Sequence, residues 1–203
     1  MVYQIRIVQD EEGINQIQRL LYTVYIEEGK WKFNPANPAG IRIVDDRLID
    51  NRDDIATYFG AFSNKKLIGC CRICPRHEGL FEIQSYTSKP LSLLNTKNLV
   101  EGSRSAVLPE YREHGVFRIM FREVLQYCYQ RDLLLFTCTS SKELRRVFQI
   151  IDFQWLRISH SNMNPTTQKS ANCLWSSPDE TYSIVFQNFA QQFHYIAISK
   201  LDK

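Results

Sequence analysis

A strand that runs through a glycine-bearing loop into an amphipathic helix is the feature that most limits how this chain folds. Leu99 to Leu108 reads as a strand, and Pro109 to His114 is a short polar loop. After Gly115, the residues Phe117, Met120, Phe121, Val124 and Cys128 recur at helical spacing. A loop that opens directly into a helix turns several unpaired N–H groups toward one point, and the helix dipole makes that point attractive to anions. The segment therefore fixes a strand–loop–helix unit and predicts an anion site at its bend.

The rest of the chain supplies a sheet around that unit. Val2 to Val8 alternates as a strand, with Tyr3, Ile5 and Ile7 on one face, and Ile14, Ile17, Leu20, Leu21 and Val24 have helical spacing. Asn34 to Gly40 breaks regular structure. Tyr58 to Phe62 and Leu67 to Ile73 read as a hairpin joined through residues 63–66. Residues 76–98 are mixed and polar and read only as a long connection. Leu133 to Cys138 is a fully apolar run typical of a buried central strand. Ser140 and Glu143 form a capping box that opens a further helix ending near Ile151. Trp155 to Ser159, Tyr182 to Phe189 and Phe193 to Ser199 are candidate last strands, and residues 159–181 between them read as loop or lid. The order predicts one mixed α/β domain over residues 1–203, with a central mixed sheet of about seven strands flanked by helices.

Composition narrows the classes. At 203 residues the chain can bury a sizeable core without disulfides, and 44% hydrophobic with 23% charged residues is ordinary for a globular domain. A net charge of +3 is too small to argue for nucleic acid. No apolar run approaches the ~18 residues of a membrane span, and the first residues lack the form of a signal peptide, so a cytoplasmic location is expected. The six cysteines are then expected to be free thiols. Cys71 and Cys74 have the spacing of half a zinc site, but no second closely spaced pair completes it, so no metal is expected.

The spacing of Val107, Arg112, Gly115 and Phe117 resembles the pyrophosphate-binding signature of the GNAT superfamily of N-acetyltransferases. The order of elements from residue 99 to 153 agrees with that fold, and the likeness covers roughly residues 56 to 155. It implies that Val107, Arg112, His114, Gly115, Val116 and Phe117 hold the phosphopantetheine of an acyl-thioester donor, with no permanently bound cofactor. A second likeness is narrower. Gly69-Cys70-Cys71-Arg72-Ile73-Cys74-Pro75 is similar to the Gly-x-x-Arg-Leu-x-Pro segment of autoinducer synthases, a GNAT branch. Glu101-Gly102-Ser103-Arg104-Ser105-Ala106-Val107 resembles their Glu-Leu-Ser-Arg-Phe-Ala-Val strand, and Val24 to Trp31 resembles the end of their N-terminal helix. Those synthases carry an arginine where this chain has Leu21, which argues against S-adenosylmethionine as acceptor. The related long-chain N-acyl amino acid synthases share the fold and the Glu-x-Ser-Arg strand, and this chain looks more like that group.

The resemblance implies roles, each with a plain alternative. Attack on a thioester needs a neutral amine, and Glu101 is the candidate general base that takes its proton; alternatively it pairs with Arg104 or Arg72 and braces the sheet. Arg72 and Arg104 are candidates for a two-pronged contact with an acceptor carboxylate, or else structural partners of Glu101, Asp45 or Asp50. Asp45, Asp46 and Asp50 fall in an acidic stretch that either holds a positively charged amine or, as is expected here, is a solvated loop. Trp31 either closes over the donor's entry or anchors the N-terminal helix. An N–H on the Val107 side of the strand is the expected donor to the thioester oxygen. Phe148 stands where many GNAT enzymes have a tyrosine acid. Phe117, Phe121, Phe136, Phe148 and Trp155 either line an acyl tunnel or form core. Arg118 and Arg122, with Arg145 and Arg146, offer a basic face for an acidic carrier protein, or a plain solvated one.

The expected function is transfer of an acyl group, expected to be long, from acyl carrier protein or coenzyme A to the amine of a small acceptor, expected to be an amino acid. The alternatives are an acyl-homoserine-lactone synthase, a short-chain coenzyme A-dependent acetyltransferase, and a non-catalytic domain that binds an acyl carrier.

Overall fold

The computed structural model describes residues 3–32, 35–82, 84, 97–139, 153–159 and 181–187. It is a mixed α+β fold of nine strands and two α-helices among those residues. The strands are β1 (Gln4–Val8), β2 (Arg42–Val44), β3 (Arg47–Ile49), β4 (Thr57–Ser63), β5 (Lys66–Cys74), β6 (Leu99–Val107), β7 (Leu134–Thr139), β8 (Phe153–Ser159) and β9 (Thr181–Gln187). The helices are α1 (Glu11–Tyr22) and α2 (Val116–Gln130). Seven strands form one sheet in the order β1-β4-β5-β6-β7-β9-β8, as expected, and β2 and β3 form a separate hairpin. Every pairing in the large sheet is antiparallel except β6 with β7.

Local chemistry explains the elements. Asp10 caps α1 by accepting from the Gly13 N–H at 2.8 Å, and Glu11 and Glu12 lie in the first turn, where the helix dipole favours acids. The Asn64–Lys65 turn between β4 and β5 has φ of 47° and 68°, the paired left-handed conformation that matches hairpin twist. Asp45 and Asp46 turn the β2–β3 hairpin in the same way, with φ of 51° and 57°. That hairpin was not expected. The sequence 42–49 reads as an acidic loop because three-residue strands are too short to show alternation.

Each face of the sheet carries its own core. On one, α1 packs Ile17, Leu20 and Leu21 onto Val8, Tyr58, Phe62, Cys70, Leu99, Ala106 and Phe136. On the other, α2 packs Val116, Met120, Phe121, Val124 and Cys128 onto Phe59, Ala61, Ile68, Cys71, Val100 and Leu135. Neighbours in sequence such as Cys70 and Cys71, or Leu135 and Phe136, fall into opposite cores, as the period of two demands. Cys70, Cys71, Cys74 and Cys128 are buried free thiols, and burial pushes Cys70, Cys74 and Cys128 up to about 12. They behave as small hydrophobes. Phe117 is half-buried and stacks on Phe121 at 4.9 Å. No helix among the described residues is long and apolar enough to cross a membrane. The helix expected from Ser140, with Arg145, Arg146 and Phe148, lies outside the described residues, as do the 160–180 segment and the strand expected at 193–199.

Candidate active site

The sheet opens at its centre. β6 and β7 pair from Leu99–Leu134 to Gly102–Thr137, where the Thr137 hydroxyl donates to the Gly102 carbonyl at 2.7 Å. Beyond that point β6 continues to Val107 and β7 to Thr139 with no pairing between them. The two strands therefore part, and residues 103–107 of β6 have no strand partner on the β7 side among the described residues. The Leu108 N–H donates back to Ile68 at 2.9 Å, toward β5. Its neighbour Val107 must point its own N–H the other way, into the opening, because successive amides along a strand face opposite sides.

The loop after β6 borders that opening. Pro109–Tyr111 make one 3-10 turn, Glu113 and Gly115 take left-handed backbone at φ of 64° and 77°, and α2 begins at Val116. Gly115 is the helix N-cap and offers no side-chain oxygen to the first-turn amides. Among the described residues, no main-chain carbonyl accepts from the amides of His114, Gly115 or Val116. A Cβ at Gly115 would meet nothing within 4 Å, so the space beside the loop is open. A ring of unbonded amides at a helix start with room in front of it is an anion cradle.

Arg112 is held elsewhere. Its Nε donates to the Val107 carbonyl at 2.9 Å, and its other nitrogens grip both carboxylate oxygens of Glu28, one at 2.6 Å. That grip holds Glu28 below the usual carboxylate range. Glu28 ends a π-helical stretch, Thr23–Glu28, that continues α1. The wider turn carries Tyr25 to the sheet, where its hydroxyl donates to the Ser105 carbonyl at 2.9 Å, and Trp31 stacks on the Tyr25 ring at 4.1 Å. Burial raises the Tyr25 phenol well above its ordinary value, so it stays a neutral donor. Trp31 is thus tied to β6 at Ser105 through Tyr25.

On the α1 face lies a buried ionic cluster. Arg72 is fully buried; its Nη1 meets Asp50 at 2.8 Å and Asp53 at 2.9 Å, its Nη2 meets Glu82 at 3.4 Å, and its Nε donates to the Ser103 hydroxyl at 3.0 Å. Arg104 sits where a β-bulge shifts the β5–β6 register, with a left-handed φ of 49°. Its Nη2 contacts Asp50 at 2.6 Å and Glu82 at 3.0 Å. Glu101 is buried beside them, its Oε2 accepting from the Glu82 N–H at 2.7 Å. Burial alone would raise the Asp50 carboxyl, but Arg72 and Arg104 together hold it well below the usual range. Asp53 moves up instead, because burial and the adjacent Asp50 charge outweigh Arg72.

The expectation of a solvated acidic loop is corrected here. Asp45 and Asp46 are exposed, but Asp50 is buried and bridges both arginines. Asp53, Tyr58 and Glu82 belong to the cluster and were not foreseen. Asp53 had a signal, its spacing of three from Asp50 across a turn; Glu82 had none in its polar surroundings. Tyr58 donates to Asp53 at 2.5 Å, a role hidden in a strand that reads as core.

With this geometry in view, the relatives can be compared. The family model of the N-acyl amino acid synthase FeeM matches residues 16–176, more than half of the chain. The chain belongs to the FeeM family. A search of curated proteins gives no match. Among solved structures, this FeeM-family chain is similar to the acyl-homoserine-lactone synthase LasI at 17% identity and a TM-score of 0.62, covering 92% of this chain and 90% of that one. The coenzyme A-dependent homoserine-lactone synthase BjaI, solved with S-adenosylmethionine and isopentyl-CoA, gives 17% identity and 0.62 over 93% and 85%. FeeM itself, from uncultured soil microbes, gives 13% identity and 0.58 over 91% and 90%. The Escherichia coli protein ElaA gives 11% identity and 0.57 over 92% and 100%. These likenesses fix the GNAT-like fold, and family membership makes the chain an N-acyltransferase.

Proposed function

We propose that this FeeM-family enzyme moves a long acyl chain from the phosphopantetheine thioester of acyl carrier protein, or from coenzyme A, to the α-amine of an amino acid in the cytoplasm. The observation that carries the reading is the parting of β6 and β7 beside a helix start whose amides at His114, Gly115 and Val116 have no main-chain acceptor among the described residues. The diphosphate or phosphate end of the donor lies on those amides and on Phe117 at the first turn of α2. Arg112 keeps its grip on Glu28 and contributes positive potential at the edge of the loop. The pantetheine arm follows the open edge of β6, and the thioester oxygen accepts from the Val107 N–H. Trp31 and Tyr25 wall the entry.

The acceptor approaches from the cluster. Glu101 takes a proton from the ammonium, directly or through one water, and the neutral nitrogen attacks the thioester carbon. A C–N bond forms, the C–S bond breaks, the thiolate departs with the sulfur electron pair, and the nitrogen's second proton goes to solvent or to that thiolate, leaving the neutral amide. A thiolate needs no acid to leave, which suits the absence of a tyrosine at position 148. Among the described residues Arg104 meets its carboxylate partners through Nη2, and its other N–H groups serve the acceptor. Arg72 has each of its nitrogens engaged by Asp50, Asp53, Glu82 or Ser103 and acts by holding the cluster in shape. The exposed Arg118 and Arg122 on α2 provide a basic face for an acidic carrier protein.

Purified protein should be incubated with acyl carrier protein and coenzyme A thioesters of graded length, with amino acids or S-adenosylmethionine as acceptor, and the products weighed by mass spectrometry. An N-acyl amino acid is the expected product. An acyl-homoserine lactone, or acetyl transfer alone, would replace this reading with a different one. No product with any acceptor would leave a binding domain.

A further inference from the structure

The buried cluster carries more acid than base. Asp50, Asp53, Glu82 and Glu101 bring four carboxyl groups around the two guanidiniums of Arg72 and Arg104. Such a pocket receives an ammonium readily, but a carboxylate brought with it meets like charge. An amino acid carries both groups. It needs a cation that the cluster has not already neutralised.

Arg52 has that property. It precedes the 3-10 turn Asp53–Ile55 and stands between the two acids, its backbone N–H donating to Asp50 Oδ1 at 2.9 Å. The residue is 3% exposed, and its buried Nε has no hydrogen-bond partner among the described residues. Among the described residues, no carboxylate lies within ion-pair distance of its guanidinium, in contrast to Arg72 and Arg104. Its backbone N–H bond to Asp50 ties it to the cluster. Cys74 pairs with Glu101 across β5 and β6, and the Cys74 thiol feels the charges of Arg72, Glu101, Arg52 and Asp50 together. A buried guanidinium nitrogen with no partner costs its desolvation until one arrives.

We infer that Arg52 takes the α-carboxylate of the amino-acid acceptor in a two-pronged contact, while the surrounding acids hold its ammonium beside Glu101. The inference rests on the amino-acid reading of the function. The competing account is that Arg52 only offsets the charge of the cluster, and it predicts a different outcome. The experiment compares one amino acid with the amine formed by its decarboxylation, as acceptors for the full chain with the same acyl thioester. Wild type should prefer the amino acid. In Arg52→Gln the preference, read as the ratio of kcat/KM values, should fall about 10- to 100-fold, the effect of losing a hydrogen-bonded charge contact. Arg52→Lys should fall between the two. The amino acid should also raise the melting temperature of wild type more than that of Arg52→Lys, a readout that survives if Arg52→Gln folds poorly. Equal loss with both acceptors, or an unchanged ratio, overturns the assignment and leaves charge balance as the role of Arg52. A wild type that acylates amines with no preference for a carboxylate overturns Arg52 alone. A wild type that acylates no amine overturns the reading beneath it as well.

Discussion

The ionic cluster on the α1 face and the loop before α2 meet opposite demands, one beside β6 and the other just past its end. In the cluster, Arg72, Asp50, Asp53, Glu82 and Ser103 satisfy one another inside the chain before any substrate arrives. In the loop, the amides of His114, Gly115 and Val116 have no main-chain acceptor among the described residues, and a Cβ at Gly115 would meet nothing within 4 Å. The difference teaches where each half of the reaction gets its binding energy. On the proposed reading, the donor's phosphate replaces water on amides that have no main-chain acceptor among the described residues. The acceptor on that reading meets a charge lattice already fixed in place, so the groups left to touch it are those the lattice leaves over.

The largest effect should come from breaking the lattice at its centre. Arg72→Ala leaves Asp50, Asp53 and Glu82 short of a buried counter-charge and should destabilise the fold by about 3–5 kcal/mol, read from denaturant midpoints. A loss under about 1 kcal/mol, the scale of an exposed pair, would mean that the cluster is wetter than its burial indicates. Glu101→Gln keeps an oxygen for the Glu82 N–H but no base. It should lower kcat by about 100-fold or more with little change in melting temperature; equal losses in both would make Glu101 a brace.

Acid titration sharpens the contrast further. Arg72 and Arg104 depress the Asp50 carboxyl in the fold, so its stabilising contribution is complete above its unfolded pKa of about 3.9 and disappears as pH falls through the lower folded value. Asp50→Asn should therefore melt below wild type at neutral pH, and the gap should narrow only in strong acid. Asp53 is shifted the other way and takes its proton first, relieving repulsion as it does. A gap that closes by pH 5 would contradict the pairing.

On the donor side the effects should be smaller in stability and selective in kinetics. Gly115→Ala meets no clash but must hold φ at 77°, a cost of about 1 kcal/mol. Its methyl group projects where the phosphate approaches, so KM for the thioester should rise while the acceptor KM stays. Glu28→Gln should be the mildest. That pair is half-exposed, and such pairs contribute at most about 1 kcal/mol. Freed from Glu28, Arg112 can turn to the phosphate, and a lower donor KM is the expected readout. An unchanged KM would assign Arg112 to the Val107 carbonyl alone.

The strand–loop–helix at 99–130 was legible because its signals are local: an apolar run, a glycine, then helical spacing. Glu101, Arg72 and Arg104 were legible as candidates for the same reason, lying in short motifs on two strands. Their partners were not. Glu82 sits in a polar connection with no periodicity, and Asp50 lies 54 residues from the Arg104 that it meets. Glu28 and Arg112 are separated by 84 residues, so nothing near either one announces the pair. Arg52 was invisible altogether, since an arginine in an acidic turn looks like a solvated charge.

Side-chain alternation, helix faces, hairpin turns and the glycine at the bend were set by the sequence alone, because each depends on residues within a turn or two of one another. Which acid meets which arginine was decided by the tertiary structure, as was the point where β6 leaves β7. Those contacts depend on the distances between distant segments once the sheet has closed. A charge finds its partner, or is left without one, only when the chain has brought it there.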